Sequence, residues 1–451
     1  KGRGMGRLNI LYIHSHDTGR YVQPYGYAVE TPRIQQLAEE GVLFRQAFCA
    51  NPTCSASRSV LLTGRYAHSN GMIGLAHRGS RLNDYRQHLA SFLSRNGYET
   101  ALSGMQHEAA DRQLLGYERF LDDGPGGNTQ EGVARRAAAF LVERHDRPFF
   151  LSCGFSLTHR TGRGIQWHNG EASPLGDPRY CRPPAPLPDL PEIRRDFADF
   201  RASVRRLDEC MGIVFDALEE SGLAEETLVV CTTDHGIAFP FMKCNLTDHG
   251  TGVMLILRGP GGFTGGKVVD ALVSHVDIFP TLCQMAGIPQ PDWLQGTSLM
   301  PLVTGDAESV RDEVFAEVNY HAAREPMRSV RTARYRYIRR YEVHPHPVLP
   351  NCDESVSKRE LLRYGWRERP QQEEALYDLI FDPNEACNVA KDPLYADALA
   401  EMRARLNRWM RETEDPLLTG RMEPWPGMVS NPVDGNSPQE EAGPAEPWVA
   451  R

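Results

Sequence analysis

Long apolar runs are missing from this chain of 451 residues: none approaches the ~20 residues that a membrane-spanning helix needs, so no membrane role is expected. An excess of positive charge is missing too. Lys and Arg total 50 against 59 Asp and Glu, a formal net charge of -9, which excludes the dense basic face of a non-specific nucleic-acid binder. The first residues, Lys1-Gly2-Arg3-Gly4-Met5, lack the apolar stretch of a secretory leader. With Met5 as the native start the expected location is cytoplasmic; a trimmed N-terminus would mean a secreted or periplasmic chain instead. The ten cysteines stand at irregular spacings, several in apolar runs (Cys153, Cys231), and lack the pattern of a disulfide framework; they read as buried thiols of a reducing compartment. No internal repeat is evident. What remains is ordinary globular composition, 41% hydrophobic and 24% charged, at a length that suits one large domain and a smaller one.

Leu8 to Ile13 is a continuous apolar run, the mark of a buried strand, and it stops at His14-Ser15-His16-Asp17. Glu99 to Ser103 runs into Gly104-Met105-Gln106-His107, and Phe149 to Phe155 runs on toward His159. Thr227 to Thr233 ends at Asp234-His235-Gly236, and Val253 to Leu257 is a fifth strand. Helical signals lie between. Thr31 as N-cap and Pro32 at the first helical position open a helix that Gly41 closes. Ser57 to Leu62 reads as another, with Cys54 just before its N-terminus. Phe197, Phe200, Val204, Leu207, Met211, Val214 and Leu218 form the apolar stripe of a long core helix. This alternation predicts an α/β fold: a large, mostly parallel sheet flanked by helices, with its site at the carboxyl edge of the strands.

Near residue 310 the pattern changes. Val314 to Val318 and Arg328 to Tyr341 read as antiparallel strands, Leu376 to Leu379 as a further one, and Leu399, Met402, Leu406 and Trp409 as one face of a last helix: a smaller C-terminal α+β subdomain. Past Pro416 the chain is rich in Pro, Gly and Glu, a composition that usually means disorder. This tail, with Trp425 and Trp448, is nevertheless expected to pack, a second copy of the chain being one surface it could use to form a homo-oligomer. The expected divisions are 5–310, 311–416 and 417–451.

Four strand ends thus deliver His16 with Asp17, His107, His159, and Asp234 with His235 to one edge, and the helix start at Cys54 lies among them. A lone histidine at a strand end is more often structural than catalytic; the force lies in the convergence. Asp17 and Asp234 offer oxygen ligands for a divalent cation, and His16 and His235 offer nitrogen ligands or hydrogen bonds. A nucleophile at residue 54 meets free N–H groups and a helix dipole that favour anions. Arg58, one turn in, can hold an oxyanion or an ionised nucleophile. His107 and His159 supply acid–base groups, and Lys243 is close enough in sequence to cover the same pocket. A cation, a nucleophile and positive donors around an anion spell sulfuryl or phosphoryl transfer. Asp248-His249-Gly250 repeats the triplet in a loop and reads equally as pocket rim or plain turn; Asn245-Leu246-Thr247 has the form of a glycosylation acceptor, for which chance is sufficient.

The segment Cys54-Ser55-Ala56-Ser57-Arg58, followed by Thr63-Gly64-Arg65, resembles the signature of the type I sulfatases, Cys-x-Pro-x-Arg and then Thr-Gly-Arg. The motif order along the chain agrees. Asp17-Thr18-Gly19 resembles the family's Asp-Asp-x-Gly, Gly104 to His107 its Gly-Lys-x-His, Asp234-His235-Gly236 its Asp-Asn/His-Gly, and Asp277 to Thr281 its Asp-x-x-Pro-Thr. Asn70-Gly71-Met72, Gly74 to His77 and Gly236 to Pro240 are most similar to the heparan N-sulfatase branch.

The resemblance implies an alkaline-phosphatase-like fold and hydrolysis of a sulfate ester or sulfamate, on a carbohydrate. It implies that a formylglycine-generating enzyme oxidises Cys54 to formylglycine, whose aldehyde hydrate is the nucleophile. It implies one divalent cation, calcium first with manganese or magnesium as alternatives, held by Asp17, residue 54, Asp234 and His235, with His16 in the fourth protein position. By the same resemblance His159, helped by Lys243, protonates the leaving oxygen or nitrogen; His107 deprotonates the second hydroxyl; Arg58 steadies the hydrate; and Arg20, His77 and Met105 lie against substrate. Three positions depart from the family's pattern. Ala56 replaces proline, which weakens recognition by the modifying enzyme. Met105 replaces lysine; losing one such donor costs on the order of 100-fold in rate unless Arg20 or His14 compensates. His16 replaces the first aspartate, which shifts the site toward manganese or zinc. Two other readings stay open: a phosphodiester or phosphonate monoester hydrolase of the same superfamily, and a non-catalytic binder of anionic glycans in which Cys54 stays a thiol.

Overall fold

Alternate side chains of a strand point to opposite faces, and in the first strand both faces are covered. Every residue of β1 (Asn9–Ser15) is buried; Leu11 and Ile13 enter one core, Ile10 and Tyr12 the other. The computed structural model describes residues 8–122, 129–161, 166–167 and 176–450, so the expected domain start at residue 5 lies outside them. Around β1 the chain adds β2 (Val42–Phe48), β3 (Glu99–Gly104), β4 (Arg119–Phe120), β5 (Phe149–Gly154), a small pair β6 (Arg160–Thr161) and β7 (Gln166–Trp167), then β8 (Thr227–Thr233), β9 (Leu255–Arg258) and β10 (Lys267–Ser274). The eight-stranded sheet runs β10-β2-β9-β8-β1-β5-β3-β4. Only β9 is antiparallel to its neighbours, so the mostly parallel sheet expected from the alternation is what forms.

The helices are α1 (Pro32–Glu40), α2 (Cys54–Thr63), α3 (Ala67–Asn70), α4 (Leu89–Arg95), α5 (Gln130–Leu141), α6 (Pro191–Glu220), α7 (Asp248–Thr251), α8 (Ile278–Ala286), α9 (Met300–Thr304), α10 (Val356–Arg363) and α11 (Ala396–Glu412). α1, α5 and α6 contribute to one core, and α2, α4 and α8 to the other. The apolar stripe of α6 is buried from Phe197 to Leu218, as its spacing predicts, each such side chain contributing about 1.5–3 kcal/mol. Two local details differ from expectation. Thr31 flanks α1, but its hydroxyl accepts the N–H of Gln23 at 2.8 Å rather than capping the helix. α2 begins at Cys54 itself, with Thr53 as its N-cap residue.

The second sheet, β11 (Glu313–Tyr320), β12 (Arg324–Thr332), β13 (Tyr335–Arg340) and β14 (Glu374–Asp378), is antiparallel throughout and carries α11 against it. The single run expected from Arg328 to Tyr341 is two strands, folded back at Ala333-Arg334, where Tyr335 N–H donates to Thr332 Oγ1 at 3.0 Å. The tail packs on its own chain through β15 (Arg421–Met422) with β18 (Trp448–Val449), and β16 (Val429–Ser430) with β17 (Gly443–Pro444). Trp425 Nε1 donates to Gly71 O at 2.8 Å, Arg78 Nη1 donates to Asn431 Oδ1 at 2.8 Å, and Trp448 Nε1 donates to Tyr341 O at 3.3 Å. None of the ten cysteines is joined in a disulfide. Among the described residues, no helix is long and apolar enough to cross a membrane.

Candidate active site

The carboxyl ends of β1 and β8 lie side by side because the two strands pair in register, Ser15 beside Thr233. Asp234 follows β8 directly, and Asp17 lies two residues past β1. Asp17 adopts a left-handed backbone (φ 54°), and its N–H donates to Asp234 Oδ1 at 2.8 Å. Thr158, after β5, closes the same corner: its N–H donates to His16 O at 2.6 Å and its hydroxyl to Asp17 O at 3.2 Å. α2 enters from below, with Ser57 Oγ donating to Asp234 O. Metal-ligand atoms of His16, Asp17, Cys54 and Asp234 consequently lie within 4.8 Å of one another, all buried.

The polar contacts divide into a filled set and an unfilled one. Arg58, wholly buried, donates from Nη2 to Asp234 Oδ2 (3.0 Å) and Ser15 O (2.9 Å), and its Nη1 meets His14 Nδ1 at 2.7 Å. Lys243 Nζ sits 3.0 Å from Asp17 Oδ2 and 3.0 Å from Asp353 Oδ2. Burial alone would push Asp17 up, but Lys243, His16 and His235 outweigh it and hold the carboxyl well below its usual range. Asp234 is likewise held low against its burial by His235, His16 and Arg58. His16, burial winning over Asp17 and Asp234, is pushed down to about 4 and is neutral at pH 7. His235 Nδ1 lies 2.9 Å from Gly236 O; a carbonyl only accepts, so Nδ1 carries the proton. Nε2 is buried without a hydrogen bond, 3.4 Å from Asp17 Oδ1 and 3.6 Å from Asp234 Oδ2. Held against two ionised carboxylates, it needs a positive charge between them, a second proton or a cation, so these residues fit a divalent metal ion.

Three further histidines rim the cup. His159 lies edge-on to His16, centroids 4.5 Å apart, and its Nδ1 is 2.6 Å from Arg160 O. His107, after β3, stacks on His77 with Nε2 2.7 Å from His77 Nδ1. Burial, with His16, His77 and Arg58 nearby, pushes His107 well below 6.5. Burial also pushes the Cys54 thiol up, so an unmodified Cys54 is protonated and a weak nucleophile.

A family model described as Sulfatase matches residues 8–288, and one described as N-sulphoglucosamine sulphohydrolase, C-terminal, matches residues 236–351. The chain belongs to the sulfatase family. Human N-sulphoglucosamine sulphohydrolase is 31% identical, over 90% of this chain and 91% of its own. A Delta 4,5-hexuronate-2-O-sulfatase of Bacteroides thetaiotaomicron is 26% identical over 90% of this chain and 89% of its own. The solved phosphonate monoester hydrolase of Agrobacterium radiobacter shares the fold, with TM-score 0.67 at 20% identity over 94% of this chain and 100% of that one.

In this sulfatase the expected residues His16, Asp17, Cys54, Arg58, His107, His159, Asp234, His235 and Lys243 converge, while one expectation at the substrate rim changes. Arg20 is elsewhere: its Nη2 donates to Ala47 O at 2.8 Å and its guanidinium lies 4.5 Å over the Phe48 ring, because Thr18-Gly19 turns the chain away after Asp17. His77 stacks on His107 at the rim of the cup. Met105 follows β3 directly, two residues before His107. His14 cannot replace the missing lysine charge: buried behind Arg58 and stacked 4.3 Å from Tyr12, it is pushed well below 6.5 by burial and Arg58. Asp248, the open case, opens α7 and is bound by Arg331 and Arg336 of the second sheet, a structural role. Sequence reasoning missed two groups, both from the C-terminal subdomain. Asp353 follows a short turn with no periodic signal. His321, buried with Nδ1 lacking a hydrogen bond, directly follows β11; carrying the Val314 to Val318 strand on to its end would have found it.

Proposed function

We propose that this sulfatase hydrolyses a sulfamate or sulfate ester on a carbohydrate, with residue 54 as formylglycine and one divalent cation beside it. The observation that carries the reading is the convergence of His16, Asp17, Cys54 and Asp234 ligand atoms within 4.8 Å at the N-terminus of α2. The 31% identity to human N-sulphoglucosamine sulphohydrolase favours an N-sulfated glucosamine unit. Formylglycine at this position supplies the oxygen nucleophile that a buried, protonated thiol does not. A cation held by Asp17, Asp234, His235, His16 and residue 54 supplies Lewis-acid polarisation of a sulfuryl oxygen; two imidazoles beside two carboxylates suit manganese or zinc as well as calcium.

The chain's own groups do the rest. Arg58 neutralises Asp234 and fixes the helix start against β1. Lys243, its ammonium held by two carboxylates, and His159, whose Nδ1 is tied to Arg160 O so that Nε2 is the exchangeable position, protonate the leaving atom. His107 is neutral, so it accepts a proton near residue 54, and His77 at 2.7 Å passes that proton outward. Met105 leaves the sulfate with one cation fewer.

Two measurements on one preparation from the native host test this: the mass of the peptide holding residue 54, and turnover of N-sulfoglucosamine, an aryl sulfate and an aryl phosphodiester. Conversion of Cys54 with preferred turnover of the sulfur substrates is expected. A phosphodiester preference would move the chain to the phosphonate and phosphodiester hydrolases, and an intact thiol with no turnover would make it a glycan-binding protein.

A further inference from the structure

Asp353 belongs to the loop after β13, outside the large sheet, yet its carboxylate reaches the catalytic cup. Its side chain is 17% exposed. Oδ2 lies 3.0 Å from Lys243 Nζ, but off the direction of a hydrogen bond, and no donor among the described residues is aimed at it. A buried carboxylate oxygen is acceptor-only, and one without a donor is costly. The same Nζ donates to Asp17 Oδ2 at 3.0 Å, so Asp353 is the second carboxylate on an ammonium that already has a hydrogen-bonded one. Lys243 keeps Asp353 ionised against its burial and against the nearby Asp17. The cup therefore carries one carboxylate more than binding an anion calls for, on the side from which Lys243 acts.

The leaving atom must lie within hydrogen-bond reach of Lys243 Nζ. Two partners sharing one ammonium at tetrahedral angles stand about 5 Å apart, and Asp353 Oδ2 is itself shut off from solvent, so the carboxylate must turn to bring an oxygen within reach of the leaving atom. A leaving group with N–H bonds can turn one to the unfilled oxygen. We propose that Asp353 is the specificity-determining residue for a nitrogen leaving group: it receives the N–H of a sulfamate and pairs with the ammonium that cleavage produces. When the S–N bond breaks, its electron pair stays on nitrogen. Overall, R–NH–SO3(−) and one water give R–NH3(+) and SO4(2−), and only this leaving group becomes a cation. An ester releases a neutral alcohol, which gains little from a carboxylate.

The inference rests on the proposed sulfatase reading, and the test separates the two. Asp353→Asn should lower kcat/KM on N-sulfoglucosamine by about 100-fold and on glucosamine 6-sulfate or an aryl sulfate by less than about tenfold. Asp353→Glu should restore part of the sulfamate rate. Equal losses on both substrate types would reduce Asp353 to a support for Lys243 and overturn the proposal. A binding arm needs neither turnover nor a stable variant: at pH 7 the unaltered protein should bind glucosamine at least about tenfold more tightly than glucose, and equal affinities would also overturn it. Absence of turnover on every sulfur substrate would refute the sulfatase reading alone, since the binding arm still decides Asp353.

Discussion

At the scale of single residues, the site was legible wherever a polar side chain ends an apolar run. Asp17, His107 and Asp234 each lie within three residues of a strand's end, so their position could be named before their contacts were known. Asp353 could not, because its nearest neighbours in sequence carry no pattern and only the fold back of the second sheet brings it to Lys243. Arg20 failed for the converse reason: nearness in sequence to Asp17 did not survive a left-handed turn. Ala56 is a residue whose effect can be tested apart from the chemistry. It lies in the first turn of α2, ahead of Ser57, whose N–H makes the 2.8 Å bond to Thr53 O that starts the helix. A proline there removes no helical hydrogen bond. Ala56→Pro should therefore raise, severalfold, the fraction of chain in which Cys54 becomes formylglycine, read from the peptide mass. Because Ala56 is fully buried, the added ring carbons should cost about 1–3 kcal/mol of stability at most. Unchanged conversion would show that the modifying enzyme does not read this position.

At the scale of elements, β1, β5 and β8 were readable as continuous apolar runs because both faces of the central strands are covered. β2 and β10 were not, since they lie toward the sheet edge and carry exposed charges such as Arg45 and Lys267 that interrupt the run. The β12–β13 hairpin was hidden by a turn without Gly, Pro, Asn or Asp at its tip, held instead by Thr332 and by Arg334 with Asp378. α2 is the element on which activity depends, and both its ends are fixed by sequence. Cys54 starts it, and Gly64 ends it in a left-handed conformation (φ 66°), where a Cβ would stand 2.4 Å from Leu294 Cδ2 and 3.1 Å from Phe279 Cβ. Gly64→Ala should cost about 1 kcal/mol for the backbone and about 1–3 kcal/mol for overpacking, read from urea unfolding. Turnover should fall with it, because the helix cannot shift without moving Cys54. A variant of unchanged stability would mean that this close approach is slack.

At the scale of the whole molecule, the C-terminal subdomain is tied to α3 of the large domain by a buried charge cluster rather than by apolar contact alone. Glu317 of β11 accepts from His68 Nδ1 at 2.9 Å, from His68 N–H at 3.1 Å and from Asn319 Nδ2 at 2.9 Å, while Arg328 lies 3.6 Å away and grips Asp415. His68 and Glu317 are both out of reach of water. Burial alone would lower His68, but Glu317 outweighs it and raises the imidazole above its ordinary 6.5. Burial would raise Glu317, but His68 and Arg328 win and bring it down to about 2. A raised histidine stabilises fully below its unfolded value and stops doing so as pH rises through its folded one; a lowered glutamate stabilises above its unfolded value and stops as pH falls through its folded one. The pair is therefore worth most between about pH 4.5 and 6.5. His68→Phe, which keeps a ring beside Tyr66 and Trp409, should lose about 3 kcal/mol or more near pH 6, because it strands a buried carboxylate. The gap to the parent protein should narrow steadily above pH 7 as the parent's own His68 loses its proton. Thermal unfolding of both proteins from pH 5 to 9 reads this directly, and a gap that stays constant across that range would mean that His68 acts by packing and not by charge. Because β11 also leads into His321, and the loop after β13 carries Asp353, loosening this lock should weaken turnover at a temperature below that at which the large sheet unfolds.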